Sequence, residues 1–354
     1  MKRVFGLDLL RAVAMICVIV AHTGYRYFFG FRYGLVAVES FFVISGFLIG
    51  EMLLKEFQTK FNLTDLKNFW IKRWFRTIPL YYFVIIVKFL VLKCSIGWNI
   101  IYYFLFLQNN FFGIGFLQIS WTLVLEEWFY LIMPVIFYFL FKNGISKKKY
   151  YRFFIVFLIL TNLLRLGWVL YTNRSFGAIV GNFPFRLDSF LIGVTLAAIK
   201  IFDYKLFEKM SRLKSFAVYF TLFIILLYFF RRDDFGNNNT SILWIRTIWF
   251  SLISISIATL LPYFVNSTFL NSNNDPIKLR WLITWLSLLS YPIYLIHVDI
   301  YLIFHNYFSG ISQYHPLLQF LIKNAVVVIL SLLLYNYVHS PVLRIRSKMY
   351  KNKN

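Results

Sequence analysis

The chain has 354 residues, 60% of them hydrophobic and 22% aromatic, with only 14% charged and a mean hydropathy of +0.68. Soluble domains are about half apolar and about a quarter charged, so a soluble enzyme is excluded and a polytopic, all-α membrane bundle is expected. The net charge of +23 would suit nucleic acid, but the placement of the basic residues suits loops facing an anionic leaflet, so membrane lipids and no nucleic acid are the expected partners.

The opening "MKRVFGLDLL" has the charge-then-apolar order of a leader peptide. Arg11 falls inside the apolar run and no small-residue cleavage site follows, so the segment reads as a retained first helix. Crossing about 30 Å of hydrocarbon takes about 20 residues of helix. Ten windows are candidates: 6–27, 35–54, 77–93, 119–141, 150–172, 183–200, 214–230, 241–265, 281–305 and 316–338, the third and sixth being short. Residues 96–117 are apolar but interrupted by Asn109, Asn110, Gly113 and Gly115, and read as interfacial or re-entrant. No soluble domain or linker is visible. The expected organisation is one membrane domain, 1–342, and a short basic cytoplasmic tail, 343–354. Cys17 and Cys94 lack CxxC or Cys/His spacing, so neither a disulfide nor a metal site is expected.

Lysine and arginine placement sets orientation. With the N-terminus inside, the inner segments hold 25 of the 37 basic residues, the outer loops 6 and the spans 6. This predicts ten spans with both ends cytoplasmic.

Ionisable groups at bilayer depth cost about 2.5–3.5 kcal/mol on insertion scales and usually face a bundle interior or a wet cavity. Within "LDLLRAVAMICVIVAH", 7–22, Arg11 and His22 are 11 residues apart. That is close to three helical turns, so they share a stripe, separated by about 16 Å along the axis. Asp8, one turn before Arg11, is placed to pair with it. Glu39, Glu126, Glu127, Arg186, Asp188 and His297 fall in the outer halves of four other windows. Five helices therefore bring ionisable groups to a similar level, as a buried site requires. Glu126 and Glu127 are adjacent, so only one of them faces inward. His305, His315 and His339 lie near helix ends or in loops and receive no role.

In "KNFWIKRWFRTIPLYYF", 67–83, Lys72, Arg73 and Arg76 precede Pro79, which suits the first turn of a helix. The cluster reads either as positive-inside anchoring with Trp70 and Trp74 or as a phosphate clamp. Ser45 and Gly46, mid-span in "ESFFVISGFLIG", allow close approach of a backbone or ligand.

These segments together resemble the acyltransferase-3 family of integral-membrane O-acyltransferases, which modify sugars of bacterial surface polysaccharides. Arg11 and His22 with ten residues between them match its arginine–histidine signature, and "LDLLRAVA" its opening. "SFFVISGF", "KRWFRTIP", "SWTLVLEEWFY", "FRLDSFLIGVTLA" and "LSYPIYLIH" follow in the family's order over nearly the whole chain. Two positions depart: the family often has aspartate and a preceding glycine where this chain has Glu39 and Ala37, and glutamate where it has His339.

The resemblance implies a multi-pass protein of the bacterial cytoplasmic membrane. It implies no permanently bound cofactor, an acyl-CoA donor (usually acetyl-CoA), and a carbohydrate or lipid-linked glycan hydroxyl as acceptor, as in lipopolysaccharide or exopolysaccharide. On that reading Arg11, Lys72, Arg73 and Arg76 bind the donor and His22 is the general base, oriented by Glu126 or, second, Glu39. Tyr294, Arg186 or Ser120 would stabilise the oxyanion, and Ser45, Trp121, Tyr130, Asp188, Tyr291 and His297 would line the site. Intramembrane Arg, His and Glu also build transport pathways, which leaves a transporter or flippase as the alternative. Against it, no repeated halves are visible.

Overall fold

The computed structural model describes residues 3–351 apart from 24–25, 57–61, 92–95, 112–114, 142–143, 173–178, 232–242, 268–269 and 271–276. Cys94 and Gly113 lie outside the described residues. Among the described residues there is no strand, and every expected apolar window falls on a helix.

The long helices are α1 (Phe5–His22), α2 (Arg26–Glu56), α3 (Leu63–Val91), α4 (Trp121–Phe141), α5 (Lys147–Thr172), α6 (Leu187–Phe202), α7 (Leu213–Arg231), α8 (Trp249–Asn266), α9 (Ile277–Tyr307), α10 (Pro316–Leu334) and α11 (Ser340–Lys351). By length and hydropathy eight stretches can cross a bilayer, with α10 and α11 counted as one. A ninth arises if Tyr204–Met210 and Leu213–Tyr228, bent by 70°, form one broken span. The window at 183–200 yields only the 16 residues of α6, about 24 Å at 1.5 Å per residue. It can be short because it is central: every residue from Leu187 to Ala198 is buried.

Two glycines put α6 there. A β-carbon on Gly46 of α2 would lie 2.0 Å from the Phe190 carbonyl oxygen, and one on Gly193 of α6 would lie 2.2 Å from the Val43 carbonyl oxygen. The backbones meet with no side chain between them, the small-residue packing that membranes favour.

Helix α3 corrects an expectation. It begins at Leu63, so Pro79 lies inside it and not in its first turn. Its start is set by a reciprocal cap: Asn62 N–H donates to Asp65 Oδ2 at 2.9 Å, and Asp65 N–H to Asn62 Oδ1 at 3.0 Å. The cluster Lys72–Arg76 therefore offers side chains from a continuous helix, not a helix N-terminus. Prolines inside α3, α4, α8 and α9 are tolerated because neighbouring helices satisfy freed carbonyls. Close to Pro79, the Thr77 carbonyl on α3 accepts from the Tyr291 hydroxyl of α9 at 2.7 Å.

Residues 96–111 form short helical turns pinned to the bundle, not a further span. Tyr81 and Tyr82 hydroxyls donate to the Tyr103 and Phe104 carbonyls at 3.2 and 2.7 Å, and the Trp128 indole donates to Phe106 O at 2.9 Å. No break falls at residue 342. The chain passes from α10 through a wide π-type turn, Tyr335–His339, into α11. There Arg346 donates to the Lys72 carbonyl on α3 at 3.0 Å.

Candidate functional site

A cavity of about 410 Å³ opens among α1, α2, α3, α4, α9 and the α10–α11 turn, within the size range of small-molecule sites. Each helix supplies a stripe at helical spacing. Asp8 and Arg11 come from α1, and Phe41, Phe42, Ser45 and Leu48 from α2. Arg73, Arg76 and Thr77 come from α3, Thr122 and Glu126 from α4, and Ser287, Ser290, Tyr291 and Tyr294 from α9. At the mouth stand Arg3, Tyr335, His339, Leu343 and Arg346. Five arginines face two carboxylates, so the cavity is strongly cationic within low-dielectric walls.

The carboxylates are held, not loose. Asp8 Oδ2 accepts from Arg3 Nε at 2.5 Å, and Asp8 Oδ1 accepts from Ser287 Oγ at 2.8 Å with Arg11 Nη1 at 3.6 Å. Glu126 accepts from the Tyr130 hydroxyl at 2.9 Å. That hydroxyl in turn accepts from Arg73, whose guanidinium also stacks 4.0 Å from the Tyr130 ring centroid. Tyr130 thus joins a cation to a carboxylate at the wall. Of the adjacent glutamates, Glu126 lines the cavity, while Glu127 turns away to accept from Thr77 Oγ1 at 2.6 Å. Lys72 does not line the cavity, whereas Arg73 and Arg76 do, although Arg76 is exposed like Lys72.

Three expected residues are elsewhere. Glu39 pairs with Arg186 and accepts from Ser254 Oγ at 2.9 Å, buried between α2, α6 and α8. Asp188 pairs with Arg165 at 2.6 Å and accepts from Ser251 Oγ at 2.5 Å. The Arg186 guanidinium lies 4.0 Å from the Phe250 ring centroid. These two ion pairs form a separate cluster that does not border the cavity, so the level shared by five helices divides into distinct groups. Ser120 and Trp121 are also off the cavity: Ser120 is buried, donating to Leu117 O at 2.6 Å and accepting from Gln108 Nε2 at 3.1 Å. Trp121 packs edge-on against Phe42.

His22 lies beyond the cavity's inner end. Tyr294 lines that end, taking a hydrogen bond from Thr122 Oγ1 at 2.9 Å. The Tyr294 ring is 5.8 Å from the His297 ring, which is 5.0 Å from the His22 ring at 76°. His22 itself is exposed. Its Nδ1 lies 2.8 Å from the Val18 carbonyl. His297 is thus one side chain packed beside His22, and a backbone carbonyl, not Glu126 or Glu39, lies at its Nδ1.

Sequence reading missed Arg3, Thr77, Thr122, Ser287, Ser290, His339 and Arg346. The signal for the serines was present: 287, 290, 291 and 294 repeat at helical spacing on α9, as Asp8 and Arg11 do on α1. His339 reaches the cavity because the π-type turn widens the helix there, a feature frequent at functional sites.

A sequence profile described as "Acyltransferase domain" matches residues 4–336. A Staphylococcus aureus (strain COL) protein, whose name gives O-acetyltransferase as a provisional assignment, is 27% identical over 366 residues, covering 96% of this chain and 57% of that protein. O-acetyltransferase OatA of Staphylococcus aureus (strain NCTC 8325) is 27% identical over 382 residues, covering 98% of this chain and 58% of OatA. The chain thus spans a little over half the length of these relatives. No solved structure matches.

Proposed function

Because the chain belongs to the acyltransferase-3 family, we propose that it moves an acyl group from an acyl-coenzyme A donor to a hydroxyl of a cell-surface carbohydrate. Acetyl is the acyl group suggested by the names of its relatives. The reaction takes place in the cytoplasmic membrane, with donor from the cell interior. One observation carries this reading: an arginine-rich cavity whose inner end lies one side chain short of a histidine pair.

A coenzyme A thioester is polyanionic at one end and nearly neutral along its pantetheine arm. Arginine suits the first part through bidentate, charge-assisted hydrogen bonds to phosphate. Arg3, Arg346 and the exposed Arg76 stand at the mouth, with the half-buried Arg11 and Arg73 further in. Serine, threonine and tyrosine hydroxyls on α4 and α9 suit the amides of the arm. The thioester then reaches Tyr294, whose hydroxyl, donating to the Ile119 carbonyl at 3.3 Å in this structure, would turn from it to hydrogen-bond the oxyanion. His22, about 16 Å along α1 from Arg11 by helical rise, takes the proton of the acceptor hydroxyl as general base, a role worth about 10²–10⁴-fold. The Val18 carbonyl can only accept, so His22 Nδ1 carries the hydrogen and Nε2 the lone pair.

The test is acylation of the native host's surface glycans, read by mass spectrometry in His22→Ala and Arg11→Ala strains at matched expression. Both are expected to lose it. Normal acylation in the His22→Ala strain would remove the base assignment. In parallel, labelled acetyl-CoA is supplied to the purified protein in nanodiscs with host glycan. Coenzyme A release with acylated glycan supports the transferase, whereas glycan movement without release would support a flippase.

A further inference from the structure

We infer that His297 is a positioning residue for this reaction, acting through His22: its Nε2 accepts the hydrogen bond of the His22 imidazolium that forms when His22 takes the acceptor proton. The inference rests on His22 being the base, as proposed above.

The argument begins with a buried atom that lacks a bond. His297 is 0% exposed. Its Nδ1 lies 2.8 Å from the Tyr294 carbonyl and 3.1 Å from that of Ile293. Carbonyls only accept, so Nδ1 carries the hydrogen and Nε2 carries the lone pair. That Nε2 is buried and has no hydrogen-bond partner among the described residues. An orphaned buried acceptor costs stability, and natural structures retain one when it serves a purpose or binds water.

The His22 ring lies beside the His297 ring, 5.0 Å away between centroids and at 76° to it. In the resting state the same reasoning gives both rings a lone pair at Nε2. Two acceptors side by side offer each other nothing. The pairing becomes favourable only once His22 gains a proton. Its Nε2–H is then a charged donor and the His297 Nε2 is the acceptor, directly or through one water. An interaction made only after proton transfer lowers the barrier without tightening the ground state.

The step balances. The acceptor oxygen bonds the acyl carbon as the carbon–sulfur bond breaks and its electron pair leaves with sulfur. The hydroxyl proton passes to His22 Nε2, is held against His297, and then returns to the coenzyme A thiolate. Both imidazoles end neutral.

The experiment uses the full chain in nanodiscs, with acetyl-CoA as donor and polysaccharide isolated from the host envelope as acceptor. His297→Leu is expected to lower kcat about 10–100-fold, the weight of a hydrogen bond to a charged group, with donor KM within twofold. Asparagine can still present an acceptor oxygen, so His297→Asn should retain more activity than His297→Leu. Added imidazole should restore part of the rate of His297→Gly. In a His22→Ala background His297→Leu should cause no further loss, because a partner that acts through His22 has nothing left to act on. The proposal is overturned if His297→Leu keeps full kcat, or if its loss multiplies with that of His22→Ala. Equal losses in the Leu and Asn variants without imidazole rescue would also overturn it, and the rescue and Asn arms decide the matter if His297→Leu does not accumulate. Full activity of His22→Ala alone would instead remove the reading on which the inference rests.

Discussion

At the scale of single residues, burial and pairing separate side chains that the chain presents as equals. Glu39 and Glu126 are both acidic residues in apolar helices. Glu126 borders the cavity, whereas Glu39 is locked to Arg186 and Ser254. Removing one partner of a buried pair strands the other charge and costs about 3–5 kcal/mol. Glu39→Ala should therefore lower the thermal midpoint of the detergent-solubilised protein sharply, while the surviving folded fraction keeps its donor KM. A wild-type midpoint with abolished turnover would return Glu39 to the reaction. Tyr130 makes the converse case. Its hydroxyl ties Arg73 to Glu126, so Tyr130→Phe should raise donor KM about five- to tenfold, on the order of one hydrogen bond, with little change in midpoint. An unchanged KM would mean that the tie does not position Arg73. Arg11 and Glu126 were legible because helical spacing gives the face of a side chain. Glu39 was misplaced because spacing does not say which helix that face meets, and Arg186 lies 147 positions along the chain.

At the scale of elements, the helices were readable and their contacts were not. Apolar windows announced the long helices other than the polar α11, which reads as a tail, since the bilayer demands length and hydrophobicity from the segment itself. The start of α3 was missed because residues 63–76 are not apolar, yet a reciprocal cap and a neighbouring α11 extend the helix into them. Gly46 was read as a point of close approach; its partner, the backbone of α6, was not visible. The contact makes a sharp prediction. Gly46→Ala puts a methyl 2.0 Å from a carbonyl oxygen, which a backbone cannot yield without separating α2 and α6. A loss of about 1–3 kcal/mol is expected from such overpacking. Gly167→Ala in α5 meets nothing within 4 Å and should stabilise by up to about 1 kcal/mol through helix propensity. Thermal midpoints of the two variants should move in opposite directions. A harmless Gly46→Ala would mean that α2 and α6 do not meet as tightly as these distances require.

At the scale of the molecule, the number of crossings can be argued from the cavity. Arg3 and Arg346, near the two ends of the chain, line the same mouth. Arg3 also reaches the Thr284 carbonyl at the start of α9, and Arg346 the Lys72 carbonyl on α3. Ends that share one mouth require an even number of crossings. Eight is even, but it omits both α6 and the bent pair, although α6 is the most enclosed helix of the bundle. Adding the bent pair alone gives nine, which would send residues 3 and 346 to opposite faces. Adding both gives ten, and a short α6 is no obstacle, because a helix walled by protein need not match the thickness of lipid. The bias of basic residues predicts a mouth on the cytoplasmic side, as the proposed coenzyme A donor would require. Cysteine labelling tests this in a background carrying Cys17→Ser and Cys94→Ser. Gln313→Cys, in the turn after α9, should react with a membrane-impermeant maleimide in intact cells. Lys209→Cys, in the short helix after α6, should react only once the membrane is opened. Labelling of both sites in intact cells would mean an even number of crossings between them, as in the count of eight that leaves out α6 and the bent pair. A reversed pattern would place the arginine mouth outside, where no acyl-CoA could reach it.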